Sequence, residues 1–111
     1  MMDREIYNAL ISTGYPVYGY IGEGEKGIVY LLINLENYSG MMGKEYKKAR
    51  YQLTLYSTSN NELQVIESAV RSALDYKKID GILYYPISKR VLSTDNGKRV
   101  IYILEYYLYG D

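Results

Sequence analysis

Residues 46–74, YKKARYQLTLYSTSNNELQVIESAVRSAL, change their hydrophobic period once, and that change decides the fold. From Ala49 the pattern alternates. Ala49, Tyr51, Leu53 and Leu55 fall on one face, and Arg50, Gln52 and Thr54 on the other. A period of two is what a half-buried strand requires, because successive side chains point to opposite faces. After Ser57-Thr58-Ser59 the period becomes helical: Leu63, Ile66, Val70 and Leu74 recur on one stripe, with Ala69 and Ala73 beside them. Ser59 and Glu62 match the S-x-x-E capping box, in which each side chain satisfies an orphan backbone donor. A helix that can lay its stripe on the apolar face of the preceding strand is the nucleus of a two-layer α+β domain.

Outward from this nucleus the other elements are shorter. Asp3 is placed to cap a helix running to about Ser12, with Ile6, Leu10, Tyr7 and Ile11 inside, ended by Gly14 and Pro16. Val17 to Ile21 reads as a short strand, residues 22–27 as a flexible polar hairpin, and Ile28 to Tyr38 as an interior strand, apolar on both faces through Ile33. The second helix ends near Asp75, where Lys77 and Lys78 complement its negative end. Ile82 to Val91 is a strand in which Pro86, lacking a donor, requires an edge or a bulge. Asp95-Asn96-Gly97 is a hairpin turn, since Asn-Gly readily takes positive φ. Arg99 to Tyr109 is the last strand, too apolar on both faces for either to be freely solvated. The expected order is α-β-β-β-α-β-β: a single α+β domain over residues 1–111, with a mostly antiparallel sheet of about five strands and two helices packed on it.

Composition removes whole classes of chemistry. The chain has no Cys and no His, which excludes zinc fingers, thiol nucleophiles, Ser-His-Asp triads and haem ligation by His. Thirteen cations balance thirteen anions, so no global charge favours nucleic acid. No stretch resembles a signal peptide or approaches the roughly 20 apolar residues of a membrane helix, so a soluble, intracellular chain without membrane contact is expected. All 16 aromatic residues are Tyr. Either a thin domain exploits their hydroxyls and amphipathic bodies, or Tyr simply stands for Phe through lineage bias.

Four features are candidates for function. Gly22, Gly24 and Gly27 with Val29 spell G-x-G-x-x-G-x-V, but a strand follows where a dinucleotide fold needs a helix, and no kinase motifs accompany it. Glu23 and Glu25 would repel phosphate, so Gly22, Glu23, Gly24, Glu25, Lys26 and Gly27 are read as a turn and candidate partner contact. Met41 and Met42, flanked by glycines, are adaptable apolar contacts suited to docking. Lys44, Lys47, Lys48 and Arg50 form a local basic cluster, either solvated or facing phosphates or an acidic partner. Among the acids, Glu62 is explained by its cap and Glu67 by a solvated helix side. Glu105, an acid in an apolar strand, is expected to pair across a subunit contact. No nucleophile–base pair is present and no cofactor is expected, so the chain is read as a non-enzyme.

The layout resembles the phage tail-completion or tail-terminator family, the group of lambda minor tail protein U. The resemblance rests on the opening helix ending near Tyr15-Pro16-Val17, the strand Arg50 to Ser57 followed directly by the helix Leu63 to Leu74, and a hairpin at residues 95–99 leading into the aromatic strand Tyr102 to Tyr109. It spans almost the full length and is one of layout, without a signature motif. It implies a non-catalytic virion or prophage protein that assembles as a ring, typically a hexamer, on the head-proximal end of the tail. The ring stops the tube and joins it to the head–tail connector; DNA passes through without sequence-specific binding. Tail tube protein and connector are then the partners, beside the chain itself. Ile101, Ile103, Glu105, Tyr107 and Tyr109 are the candidate subunit interface, being the spare face of the last strand. The alternative reading is a small-molecule-binding regulatory domain of ferredoxin-like type, with the 22–27 turn over a ligand.

Overall fold

The computed structural model describes residues 3–39, 45–93 and 99–110. The elements are α1 (Asp3–Ile11), β1 (Val17–Gly19), β2 (Gly27–Ser39), β3 (Glu45–Ser57), α2 (Asn60–Leu74), β4 (Lys78–Ile79), β5 (Ile82–Ser93) and β6 (Val100–Gly110). The strands form one sheet in the order β1-β2-β3-β6-β5-β4. Every pair is antiparallel except β1–β2. The α+β class, the two helices and the antiparallel character agree with the sequence reading; the strand count is six, and the sheet is mixed.

Both departures have local causes. β4 is two residues long, too short to show a period, and pairs Ile79 with Ile82 across a two-residue turn. Asp80 (φ 52°) and Gly81 (φ 81°) both take positive φ there, the turn chemistry of an Asp-Gly hairpin. Residues 22–27 are no hairpin, because β1 and β2 run the same way, with Val17 beside Ile28 and Gly19 beside Tyr30. A three-residue strand advances only about 10 Å, so residues 20–26 suffice to carry the chain back to its start. Tyr20 (φ 71°) and Gly24 (φ 77°) make the reversal in the left-handed region. β2 is not interior along its length: β1 covers it only from Ile28 to Tyr30. Beyond, a bulge lies between Leu32 and Asn34, and the bulged Ile33 is 46% exposed. Pro86 meets both of its requirements, because β4 reaches only Leu83 and a second bulge lies between Pro86 and Ser88. The Asp95-Asn96-Gly97 turn lies outside the described residues.

Both helices pack on one face of the sheet. Leu63, Ile66, Val70 and Leu74 of α2 are fully buried against Tyr51, Leu53, Leu55, Leu104 and Tyr106. Burial of each such side chain contributes about 1.5–3 kcal/mol. From α1, Ile6, Ala9 and Leu10 enter the core, while Tyr7 and Ile11 remain 39% and 46% exposed rather than lining the inside. The cap of α2 is half of the expected box: the Glu62 amide donates to Ser59 Oγ at 3.3 Å. The Glu62 carboxylate turns instead to the fully buried Ser57 hydroxyl (2.8 Å) and to Lys26 Nζ (3.1 Å). Ser57 Oγ in turn accepts from the Ser59 amide, so no buried polar group is left over at this corner.

Core tyrosines tie the helix ends to the sheet. Tyr51 donates to the Asp3 carboxylate at the start of α1, Tyr102 to Asn60 at the start of α2 (2.8 Å), and Tyr106 to Asp75 at its end. Asp3 also accepts from Tyr20 at 3.0 Å, so both its oxygens anchor tyrosines. Burial and the bond to Asp75 push the Tyr106 hydroxyl pKa upward, and burial does the same at Tyr84.

Candidate assembly surface

Strand register defines the face opposite the helices. Across β2, β3, β6 and β5 it consists of four rows: Val29–Thr54–Ile103–Arg90, Leu31–Gln52–Glu105–Ser88, Asn34–Arg50–Tyr107–Tyr85 and Glu36–Lys48–Tyr109–Leu83. Among the described residues no helix covers these rows: Asn34, Tyr85, Ser88, Arg90 and Tyr109 are exposed and the others half-buried. Val29, Leu31, Ile103 and Ile101 make one end aliphatic. At the other end Tyr107 and Tyr109 lie 6.0 Å apart, and Tyr85 meets Tyr76 edge-on at 5.5 Å. All five expected interface residues of β6 therefore share one open face, which β2, β3 and β5 extend.

Most charges on this face are held by neighbours in the chain. Glu105 pairs with Arg50 on the neighbouring strand, Arg50 Nε lying 2.6 Å from Oε2. Lys48 Nζ sits 4.1 Å from the Tyr107 ring centroid, a cation–π contact. The basic cluster is thereby divided. Lys48 and Arg50 are on the open face, Lys47 is on the opposite one by strand alternation, and Lys44 lies outside the described residues. Ile33, Asn34, Glu36, Lys48, Arg50 and Tyr107 line a shallow depression of about 350 Å³. It carries charges of both signs, Glu36 against Lys48 and Arg50.

The 22–27 connection closes the aliphatic end. Tyr56, in line with Arg50 and Thr54, donates to the Glu23 carbonyl, and Arg99 donates to the Gly24 carbonyl at 2.7 Å. A Cβ on Gly22 would meet Val29 and Tyr56 within 2.9 Å, and one on Gly27 would meet Tyr56 Oη at 2.9 Å. These two glycines serve close packing against Tyr56, not phosphate binding. Lys26 bonds to Glu62, which with Ser57 holds that carboxylate below its ordinary pKa, the Ser57 hydrogen bond contributing most. Glu23 and Glu25 line an open recess with Pro16, Tyr18, Thr58 and Glu62. Met41 and Met42 lie outside the described residues, beyond the Ser39–Glu45 pair that ends the β2–β3 ladder. That pair stands at the opposite end of the sheet from residues 22–27.

Edges of the sheet are blunted where the face is not. Among the described residues β5 has no outer neighbour past Leu83, and it carries Pro86, a bulge, Lys89 and Arg90 there, features that oppose strand addition. Glu67 is not solvated: it accepts from Lys89 at 2.7 Å and from Arg71 at 3.4 Å, binding α2 to this edge. Leu83 and Tyr85 were missed by sequence reasoning because the bulge at Ile87 breaks the alternation of β5. The described residues hold no group of acids able to bind a metal ion and no helix long and apolar enough to cross a membrane.

No family model matches the chain, and no curated protein matches it. A solved structure does: a chain of the "Virion of native gene transfer agent (GTA) particle" superposes with a TM-score of 0.71 at 11% sequence identity. The alignment covers 94% of this chain and 90% of that one. The two share a fold.

Proposed function

We propose that the chain is a structural protein of a phage-like virion. It forms a ring at the head-proximal end of the tail that terminates the tube and joins it to the head connector. The observation that carries this reading is the open sheet face, a four-strand surface that no described helix covers. It is aliphatic at Val29, Leu31 and Ile103, aromatic at Tyr85, Tyr107 and Tyr109, and its central ion pair, Arg50–Glu105, is closed within the chain. A monomer gains nothing from such a face, whereas a subunit contact buries it. The fold held in common with a virion chain over nearly the full length supports the same reading. Work at this site is geometric rather than catalytic. One surface closes the ring, and the two ends of the sheet, with the 22–27 connection at one and the Ser39–Glu45 pair at the other, face tube and connector. DNA crosses the ring without sequence-specific contact.

Light scattering coupled to size exclusion, over a concentration series and with negative-stain images of the large fraction, tests the assembly. A closed ring of about six copies is the expected result. Tyr107→Arg places a charge in the face and returns the protein to monomers, while circular dichroism stays unchanged. A ring indifferent to Tyr107→Arg would show that another surface closes it.

A further inference from the structure

The helix layer has an outer surface of unusual composition. Thirteen cations and thirteen anions are spread through the chain. Yet α1 exposes only Arg4, Tyr7, Asn8 and Ile11, and the exposed residues of α2 are uncharged, among them Gln64, Val65, Ser68 and Ser72. Each charge on α2 turns sideways to a partner in its own chain: Glu62 to Lys26, Glu67 to Lys89, and Arg71 to Asp75. A solvated helix ordinarily carries its charges on the outer face. Depletion of charge is the compositional mark of an interface core.

The open sheet face matches this surface in kind. It is aliphatic at Val29, Leu31 and Ile103. Four of its five charged residues are held within the chain: Arg50 on Glu105, Lys48 over the Tyr107 ring and Glu36 accepting from Asn34. Arg90 alone points out, at the β5 edge, so the middle of the face asks no charge of its partner. An apolar sheet face is ordinarily buried by helices, and each copy carries bare helices on one side and a bare sheet on the other. The sizes agree. A helix of 15 residues is about 22 Å long, and four rows along the strands span about 20 Å. Because the two surfaces differ, the contact repeats from copy to copy and closes if the rotation allows.

We infer that the outer face of α1 and α2 in one copy seats on the open sheet face of the next, and that this one head-to-tail contact builds the ring. The inference deepens the ring reading and rests on it.

The chain lacks cysteine, so introduced thiols report cleanly. Ser68→Cys marks the helix surface and Thr54→Cys the sheet face. The double variant, treated with a short bis-maleimide at a concentration where multimers scatter, is expected to give a ladder of covalent multimers up to ring size. Each single variant is expected to stay monomeric on the denaturing gel. A covalent dimer from either single variant would mean a self-matching contact and overturn the inference. Multimers by scattering with no ladder would overturn it too, while leaving the ring reading intact. No multimer at any concentration removes the self-assembled ring and the inference together. Ser68→Arg, on an exposed helix position, is expected to keep the wild-type circular dichroism and to abolish assembly; assembly at wild-type concentration would again overturn the contact.

Discussion

Single hydroxyls explain why Tyr fills positions that Phe could occupy. Tyr51, Tyr102 and Tyr106 place their rings in the core and their oxygens at helix ends, where Asp3, Asn60 and Asp75 accept. Tyr106→Phe leaves the packing intact but removes the donor to Asp75, which keeps only its ion pair with Arg71 at 3.6 Å, and the acceptor of Arg71 Nη1 at 3.4 Å. A loss of about 1–3 kcal/mol in urea unfolding is expected. Tyr107→Phe, on the open face, is expected to change stability by no more than about 0.5 kcal/mol. Glu62 gives the chain an acid sensitivity with a definite sign. Its pKa is lower folded than unfolded, so its stabilisation is complete above the ordinary value near 4.5 and fades as pH falls through the lowered one. Glu62→Gln is therefore expected to flatten the acid limb of a stability-against-pH curve, and an unchanged limb would assign the lowered pKa no role in folding.

At the scale of elements, periodicity carried most of the information. The alternation of β3 and the four-residue stripe of α2 are as expected, and the stripe predicts its own energetics. Ile66→Ala opens a cavity under α2 and is expected to cost about 2–5 kcal/mol by denaturant titration. β4 escaped notice because two residues have no period, although Asp80-Gly81 names its turn. The outward rotation of Tyr7 and Ile11 was equally hidden. In a helix of nine residues several stripes fit the same apolar set, and only the neighbouring strands choose among them. Glu67 was misplaced for a related reason: its two cations come from Lys89 on another element and Arg71 one turn on, and only the first needed the fold to appear. Gly27→Ala tests the close approach at Tyr56 and Pro16. A loss of about 1–3 kcal/mol is expected from the forced shift.

For the molecule as a whole, the sheet is finished on one side and unfinished on the other. A layer of helices buries Leu53 and Leu104, while Ile103 and Tyr107, one residue out of phase, stay half-exposed. If ring closure covers that face, folding and assembly are linked by mass action, and the melting temperature rises with protein concentration. Differential scanning calorimetry over a hundredfold concentration range is expected to show this rise for the wild type and to lose it for Tyr107→Arg. A flat dependence in the wild type would separate stability from assembly.

Sequence alone determined the class, the two helices, the long strands and the spare face of β6, because each follows from a local period that side-chain geometry imposes. It also determined what the chain cannot do with thiols or imidazoles, since neither group is present. Tertiary structure alone decided that β1 runs parallel to β2, that Glu105 finds Arg50 in its own chain, and that the basic cluster divides between two faces. It also assigned Gly22 and Gly27 to packing against Tyr56. Each of these depends on which strands become neighbours and in what register. That choice is made by burying the α2 stripe on β3 and β6 together, and no local stretch of sequence records it.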